Sequence, residues 1–182
     1  MCTQLWHYLA SIQGQILLLS LSILMEVGRV TAEIEKLIDQ ICAKRNVDKN
    51  IVKAMVEIES DCIPTADNGK ARGLMQITPI ALKDVNARYK YKYTWDEMFD
   101  PAKNLEVGIS YLAYLLTYYQ AKKPDNQFYY LYAVAAYNWG MGKVDMWLNN
   151  IKDHREAIKI FPNETKNYII KVLWLYNWFK TR

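Results

Sequence analysis

The chain has 182 residues, 52% of them hydrophobic and 23% charged, which suits one globular domain and excludes intrinsic disorder. Its 7 glycines and 5 prolines fall well below the roughly 12% of ordinary chains, too few for an all-β fold that turns about every 8–12 residues, so an all-α fold is expected. The net charge of +4 comes from scattered residues such as Lys90, Lys92, Lys122, Lys123, Lys152, Arg155 and Lys159, with no basic recognition helix, which argues against nucleic acid as a partner.

Leu9 to Met25 is the one long apolar run. Its dense part, about ten residues from Ile16, suits an export signal better than a spanning helix. Val30-Thr31-Ala32 supplies the small residues that a signal peptidase reads, although no Lys or Arg precedes the run. Residues 1–32 are therefore read as a signal peptide or an N-terminal anchor, with Met25 as an alternative start, and residues 33–182 as the functional domain.

Helical periodicity governs the remainder. Ile34, Leu37, Ile38 and Ile41 form one stripe of a first helix. Asp48 can cap a second, running to about Ser60, and Pro64 with Gly69 marks a loop. Thr78-Pro79 and Asp100-Pro101 each read as a cap followed by a first-turn proline, opening helices over about 80–87 and 101–121. Lys122 to Asn126 is a polar break before a helix over about 127–138, Gly140-Met141-Gly142 a turn, 143–149 a short helix, and about 165–180 the last. This makes about seven helices. No strand alternation, phosphate-binding glycine loop or repeat is present.

Cys42 and Cys62 fall at the ends of the first two helices. An intervening helix of about 12 residues separates them by roughly 18 Å, too far for a disulfide. Three cysteines and two histidines in no ligand spacing point to no metal site, and nothing in the sequence calls for a cofactor.

On the second helix, Val52, Met55 and Val56 lie within about 60° of Glu59, while Glu57 lies on the opposite face. A carboxyl projecting from a buried stripe is desolvated, its pKa rises, and it can carry a proton near neutral pH. Periodicity alone equally allows a side chain that tips out to water at the helix end.

Further along, Glu59-Ser60, Pro64, Ala71-Arg72-Gly73-Leu74-Met75-Gln76-Ile77-Thr78-Pro79 and Ala135-Ala136-Tyr137-Asn138-Trp139-Gly140-Met141-Gly142 together resemble the soluble-type lytic murein transglycosylases of the lysozyme-like superfamily. Asp100-Pro101, Asn104, Gly108, Tyr111-Leu112 and Leu115-Leu116 are similar to that family's central buried helix. Glu164-Thr165, Tyr168 and Lys171-Val172 are similar to its C-terminal signature. The motifs occur in the family's order over residues 33–182.

The resemblance implies a lysozyme-like fold with a substrate groove. It also implies non-hydrolytic cleavage of the β-1,4 bond between N-acetylmuramic acid and N-acetylglucosamine, with peptidoglycan strands as the partner. Glu59 would be the sole acid/base, leaving 1,6-anhydro ends. Tyr137 would hydrogen-bond and orient its carboxyl, with Tyr168 approaching from the last helix. Gln76 and Asn138 would offer amides to the sugars, and Met75 would pack beneath the groove. Ser60 would steady either the helix end or the acid. For Tyr137 and Tyr168 the plain alternative is core lining; for Met75, space filling is the favoured reading.

The leader implies export to the periplasm or cell envelope, or anchoring by the N-terminal segment; the protein is expected to be a monomer, with any envelope-assembly partner unidentified. A hydrolytic muramidase of goose-type lysozyme character and an inactive peptidoglycan-binding assembly factor are the competing readings. The sequence departs from the family in three places. The loop between Glu59 and Gly73 is about one residue shorter than usual. Asp67, Asn68 and Lys70 stand where small residues are common, which leaves the substrate contact of that loop unassigned. Trp139 replaces a small residue and can either stack on a sugar or pack against the neighbouring helix.

Overall fold

The computed structural model describes residues 30–122, 128–149 and 161–182. The apolar run Leu9–Met25 and all of the Lys122–Asn126 break except Lys122 lie outside the described residues.

Seven α-helices are described: α1 (Ala32–Arg45), α2 (Lys49–Ser60), α3 (Pro79–Tyr89), α4 (Pro101–Lys122), α5 (Tyr129–Trp139), α6 (Met141–Leu148) and α7 (Asn163–Lys180), with a 3₁₀ turn at Asp96–Phe99. Their starts follow from local chemistry. Thr31 accepts from the Ile34 N–H, Asp48 from Asn50 and Thr78 from Ala81, so each side chain satisfies an amide that the helix itself cannot. The Asp100 carboxylate accepts from the Lys103 N–H at 3.0 Å, and Pro101 follows as the first residue of α4.

The core forms where apolar stripes converge. α2 packs along α7 and α1, while α4 packs against α1, α3, α5 and the 3₁₀ turn. Ile38, Val52, Met55, Leu105, Ile109, Leu112, Leu115, Tyr132 and Ile169 are completely or almost completely buried. Among the described residues the only β pairing is two isolated bridges, Asp67 with Arg72 and Arg72 with Ile77.

Two sequence expectations change. Gly140 alone breaks the chain between α5 and α6, because Met141 and Gly142 already belong to α6. Glu57, opposite Glu59 on α2, is nevertheless buried, with 7% exposure. The reason is that α2 is enclosed by α1 and α7, so neither of its faces is a solvent face. The Glu57 carboxylate accepts from the Cys62 thiol at 3.1 Å. Cys42 and Cys62 are both buried and form no disulfide.

Candidate active site

Glu59 occupies the last turn of α2, just before the chain turns through two successive left-handed residues, Asp61 (φ 49°) and Cys62 (φ 59°). The carboxyl is largely withdrawn from water. Burial pushes its pKa up to about 7, and a hydrogen bond from Tyr168 pulls more weakly the other way. That bond runs from the Tyr168 hydroxyl to Glu59 Oε1 at 2.6 Å. Tyr168 is itself 7% exposed, and burial together with the Glu59 charge holds its hydroxyl well above the ordinary tyrosine value. The corner therefore contains a carboxyl that is half ionised near neutrality and a phenol that stays protonated to donate to it.

Tyr137 feels the charge of the same carboxyl. Burial first, then the charge of Glu59, raises its pKa. Its hydroxyl, however, donates to the Met75 carbonyl oxygen at 2.9 Å. The orienting bond expected from Tyr137 to Glu59 is thus replaced by a tie to the loop, and Tyr168 is the phenol that contacts the carboxyl.

That loop is gripped from three helices. From α2, Ser60 Oγ donates to the Leu74 carbonyl at 2.9 Å and lies 3.1 Å from the Val56 carbonyl. From α5 comes the Tyr137 bond. From α4, the fully buried Asn104 accepts from the Met75 N–H at 2.9 Å and donates to the carbonyls of Arg72 and Met98, each at 2.8 Å. An amide can satisfy both polarities of exposed backbone at once, and leaving such groups unpaired in a buried place costs about 1–3 kcal/mol each.

Glycine is required where this grip is tightest. Gly73 has φ +74°, and a Cβ there would stand 2.2 Å from both Asn104 Nδ2 and the Met98 carbonyl oxygen. Gly108 sits in the middle of α4, where glycine costs roughly 0.5–1 kcal/mol relative to alanine. A Cβ at that position would stand 2.4 Å from Met75 Sδ. Met75 is completely buried, with its side chain against α4 at Gly108.

The remaining expected residues separate into two groups. Gln76, at φ 45°, donates its amide to the carbonyls of Gly73 (3.0 Å) and Ala66 (3.3 Å). Its donor end therefore closes the loop. Asn138 is exposed at the end of α5, with its amide open to solvent chemistry. Asp67 and Asn68 cap their own turn through the amides of Gly69, Lys70 and Ala71. Asp67 also pairs with Arg72 at 3.1 Å. Trp139 packs on Trp147 of α6 and on Phe161, with ring centroids 5.9 and 6.3 Å away, which matches the packing alternative.

The sequence profile of the transglycosylase SLT domain matches residues 36–160. This chain belongs to that family. The domain is 27% identical over 161 residues to "Membrane-bound lytic murein transglycosylase C" of Histophilus somni (strain 2336), covering 75% of this chain and 43% of the relative. It is 30% identical over 128 residues to "Membrane-bound lytic murein transglycosylase E" of Buchnera aphidicola subsp. Acyrthosiphon pisum (strain APS), covering 68% and 56%. Among solved structures it superposes on the 70 kDa soluble lytic transglycosylase of Escherichia coli with a TM-score of 0.69, 25% identity, and 83% and 25% of the two chains covered. A complex of the 70-kDa soluble lytic transglycosylase with bulgecin A gives a TM-score of 0.67 at 22% identity, covering 84% of this chain and 24% of that one. The chain thus spans about half the length of these curated relatives and about a quarter of the solved chains. The all-α architecture, with its seven described helices, is that of the SLT catalytic fold.

Within this SLT domain, two anchoring roles escaped the sequence reading. Asn104 matched the family pattern, but its role as the triple anchor of the loop needs the fold. The available signal was an uncharged amide at the start of an otherwise apolar helix stripe. Arg72 bonds Asp67 and Asp96, and its guanidinium carbon lies 4.7 Å from the ring centroids of both Trp95 and Phe99. It latches the loop to the 3₁₀ turn, and its position beside Gly73 in the motif carried no hint of those partners.

Proposed function

We propose that the chain is a peptidoglycan lytic transglycosylase that cleaves the β-1,4 bond between N-acetylmuramic acid and N-acetylglucosamine without consuming water. Glu59 is the sole acid/base. As the acid it gives its proton to the glycosidic oxygen. As the carboxylate so formed it takes the proton of the muramoyl C6 hydroxyl while that oxygen attacks C1. The glycosidic bond breaks, a C6–O–C1 bond forms, and the carboxyl regains its proton with the 1,6-anhydro end released.

The observation that carries this reading is the Glu59 corner: a carboxyl raised to about 7 by burial and held by the Tyr168 hydroxyl at 2.6 Å. A group poised near neutrality is efficient in both directions of proton transfer. Glycosidases that use water or a covalent intermediate need a second carboxylate. The nearby candidates do not serve: Asp67 is engaged by Arg72 and the Gly69 amide, and Asp61 is exposed at a left-handed turn. That supports a one-carboxylate reaction over hydrolysis. Asn138, on the exposed rim, is the amide assigned to the sugar. Ser60, Met75, Gln76 and Tyr137 keep the loop in place, and Tyr168 orients the acid. The substrate is the glycan strand of peptidoglycan, reached by an exported monomer in the periplasm or cell envelope.

Digestion of purified murein followed by mass spectrometry separates the alternatives. The expected products are one water lighter than those of a hydrolase, and reducing ends of full mass would overturn the mechanism. Glu59→Gln is expected to abolish turnover, by at least about a thousandfold, while strands still sediment with the protein. A Gln variant that clears a peptidoglycan gel would end the assignment of Glu59, and wild-type protein that binds but never cuts would favour the assembly-factor reading.

A further inference from the structure

One feature of α4 is unused by the Glu59 chemistry. Tyr111, Tyr114 and Tyr118 recur at three- and four-residue spacing on one face of the helix, and all three are half-buried. The row begins at the site, since the Tyr111 ring lies 5.6 Å from that of Tyr137. It continues outward, with Tyr114 and Tyr118 centroids 6.1 Å apart. α6 borders it on one side, where the Tyr114 hydroxyl meets Met141 Sδ at 3.6 Å. α3 borders it on the other through Arg88, whose guanidinium carbon stands 3.6 Å over the Tyr114 ring. Burial, then Asp84 and Tyr114, raise the Tyr111 hydroxyl, while Arg88 pulls it the other way, so these groups share one neighbourhood.

Two cations stand on this strip: Lys122 lies 5.3 Å from the Tyr118 ring centroid and is paired with Asp145 at 3.0 Å, and Arg88 lies over Tyr114. Its Nε donates to Asp84 Oδ2 at 2.7 Å, one turn away on α3, and the two side chains are 38% and 36% exposed. An exposed pair at this spacing adds little to helix stability, so the arrangement has little value as a staple. What it does is hold the guanidinium over an aromatic face, with its Nε given to Asp84. Arginine carries five N–H donors, and those on the Nη atoms match the two oxygens of a carboxylate in a way that a lysine ammonium cannot.

We infer that Arg88, seated on Tyr114, is a carboxylate-binding site that takes the acidic substituent of a muramic acid residue while the strand lies along the tyrosine row from Glu59. This rests on the proposed substrate. Muramic acid carries a lactyl group, either as a free carboxylate or amide-linked to a peptide with carboxylates of its own, and both sources present the same chemistry to Arg88.

The test measures binding in the full chain carrying Glu59→Gln, so that no strand is consumed, with and without Arg88→Ala or Arg88→Lys. Three ligands of equal length are compared: peptide-bearing glycan strands, strands stripped of peptide, and chitooligosaccharide, which has no carboxylate. Arg88→Ala is expected to weaken binding of peptide-bearing strands about five- to tenfold and to leave chitooligosaccharide unchanged, with Arg88→Lys in between. A loss confined to peptide-bearing strands identifies the peptide carboxylate, a loss confined to stripped strands the free lactyl carboxylate, and a loss on both shows that Arg88 takes either one. Equal loss on all three ligands, no loss on any, or no binding of any strand overturns the site. Thermal melts of each variant separate unfolding from lost affinity. Turnover of wild-type protein is scored separately, so Arg88-dependent binding without cleavage refutes the reaction and leaves the carboxylate site standing.

Discussion

The loop that holds Met75 and the end of the helix that holds its partner Tyr137 each turn on a glycine of positive φ, and the two could hardly be packed more differently. At Gly73 the backbone of Arg72 to Met75 is tied to α2, α4 and α5 by Ser60, Asn104 and Tyr137, and a Cβ would meet atoms at 2.2 Å. At Gly140 the φ is +98° and, among the described residues, a Cβ would meet nothing within 4 Å. One side is closed by packing as well as by backbone geometry; the other is constrained by backbone geometry alone. The proposed reaction, in which a dry carboxyl meets a polymer, would use the packed segment as one wall and the open one as the other.

The largest effect is expected at Gly73. Gly73→Ala adds a steric conflict with a carbonyl and a fully bonded amide to the left-handed strain, and should cost about 4 kcal/mol or more. Denaturant unfolding would reveal it, and a loss below about 1 kcal/mol would show that the loop yields and the contrast is false. Asn104→Ala comes next, at about 3 kcal/mol, because it strands the Met75 amide and the Arg72 and Met98 carbonyls in a buried place. If the grip is what fixes the loop, hydrogen exchange at Gly73 to Ile77 should rise in this variant more than exchange in α7.

Between the two walls, Glu59→Gln tests the dryness of the corner. With a folded pKa near 7 against a usual value of 4.5, the folded chain holds this proton more tightly than the unfolded one. The stabilisation is fully present below about 4.5 and is lost as pH rises through about 7. The neutral amide escapes that loss, so the variant should be more stable than wild type at pH 8 by on the order of 1–3 kcal/mol and show little difference near pH 4.5. A pH-independent difference would mean that Glu59 is better solvated than its surroundings indicate. The smallest effect belongs to Gly140→Ala, expected at about 1–2 kcal/mol from backbone strain alone. A cost there as large as at Gly73 would erase the distinction.

Much of this was legible beforehand because it is local. Asp48 and Thr78 announce their helices by side-chain chemistry, and the Ile34 to Ile41 stripe shows its inward face without help from the rest of the chain. Glu59 stood out because Val52, Met55 and Val56 share its face. Glu57 shows where that logic stops: helical geometry put it correctly on the opposite face, but only the position of α2 between α1 and α7 made that face buried too. Trp139 shows it again, since both stacking on a sugar and packing on α6 suited its place in the motif, and Trp147 with Phe161 decided between them.

The sequence by itself determined that this is a helical chain poor in turns, that it carries the ordered motifs of the SLT family, and that one glutamate projects from a buried stripe. These are consequences of composition and short-range periodicity, which act over one or two helical turns. The tertiary structure decided which phenol reaches the carboxyl: Tyr168 from α7, 109 residues away along the chain, bonds Glu59, while Tyr137 serves the Met75 carbonyl. Pairings of that range depend on how helices cross, and no local pattern encodes a crossing. The same kind of crossing brought Arg88 of α3 onto Tyr114, in a row of Tyr111, Tyr114 and Tyr118 that the spacing along α4 sets by itself.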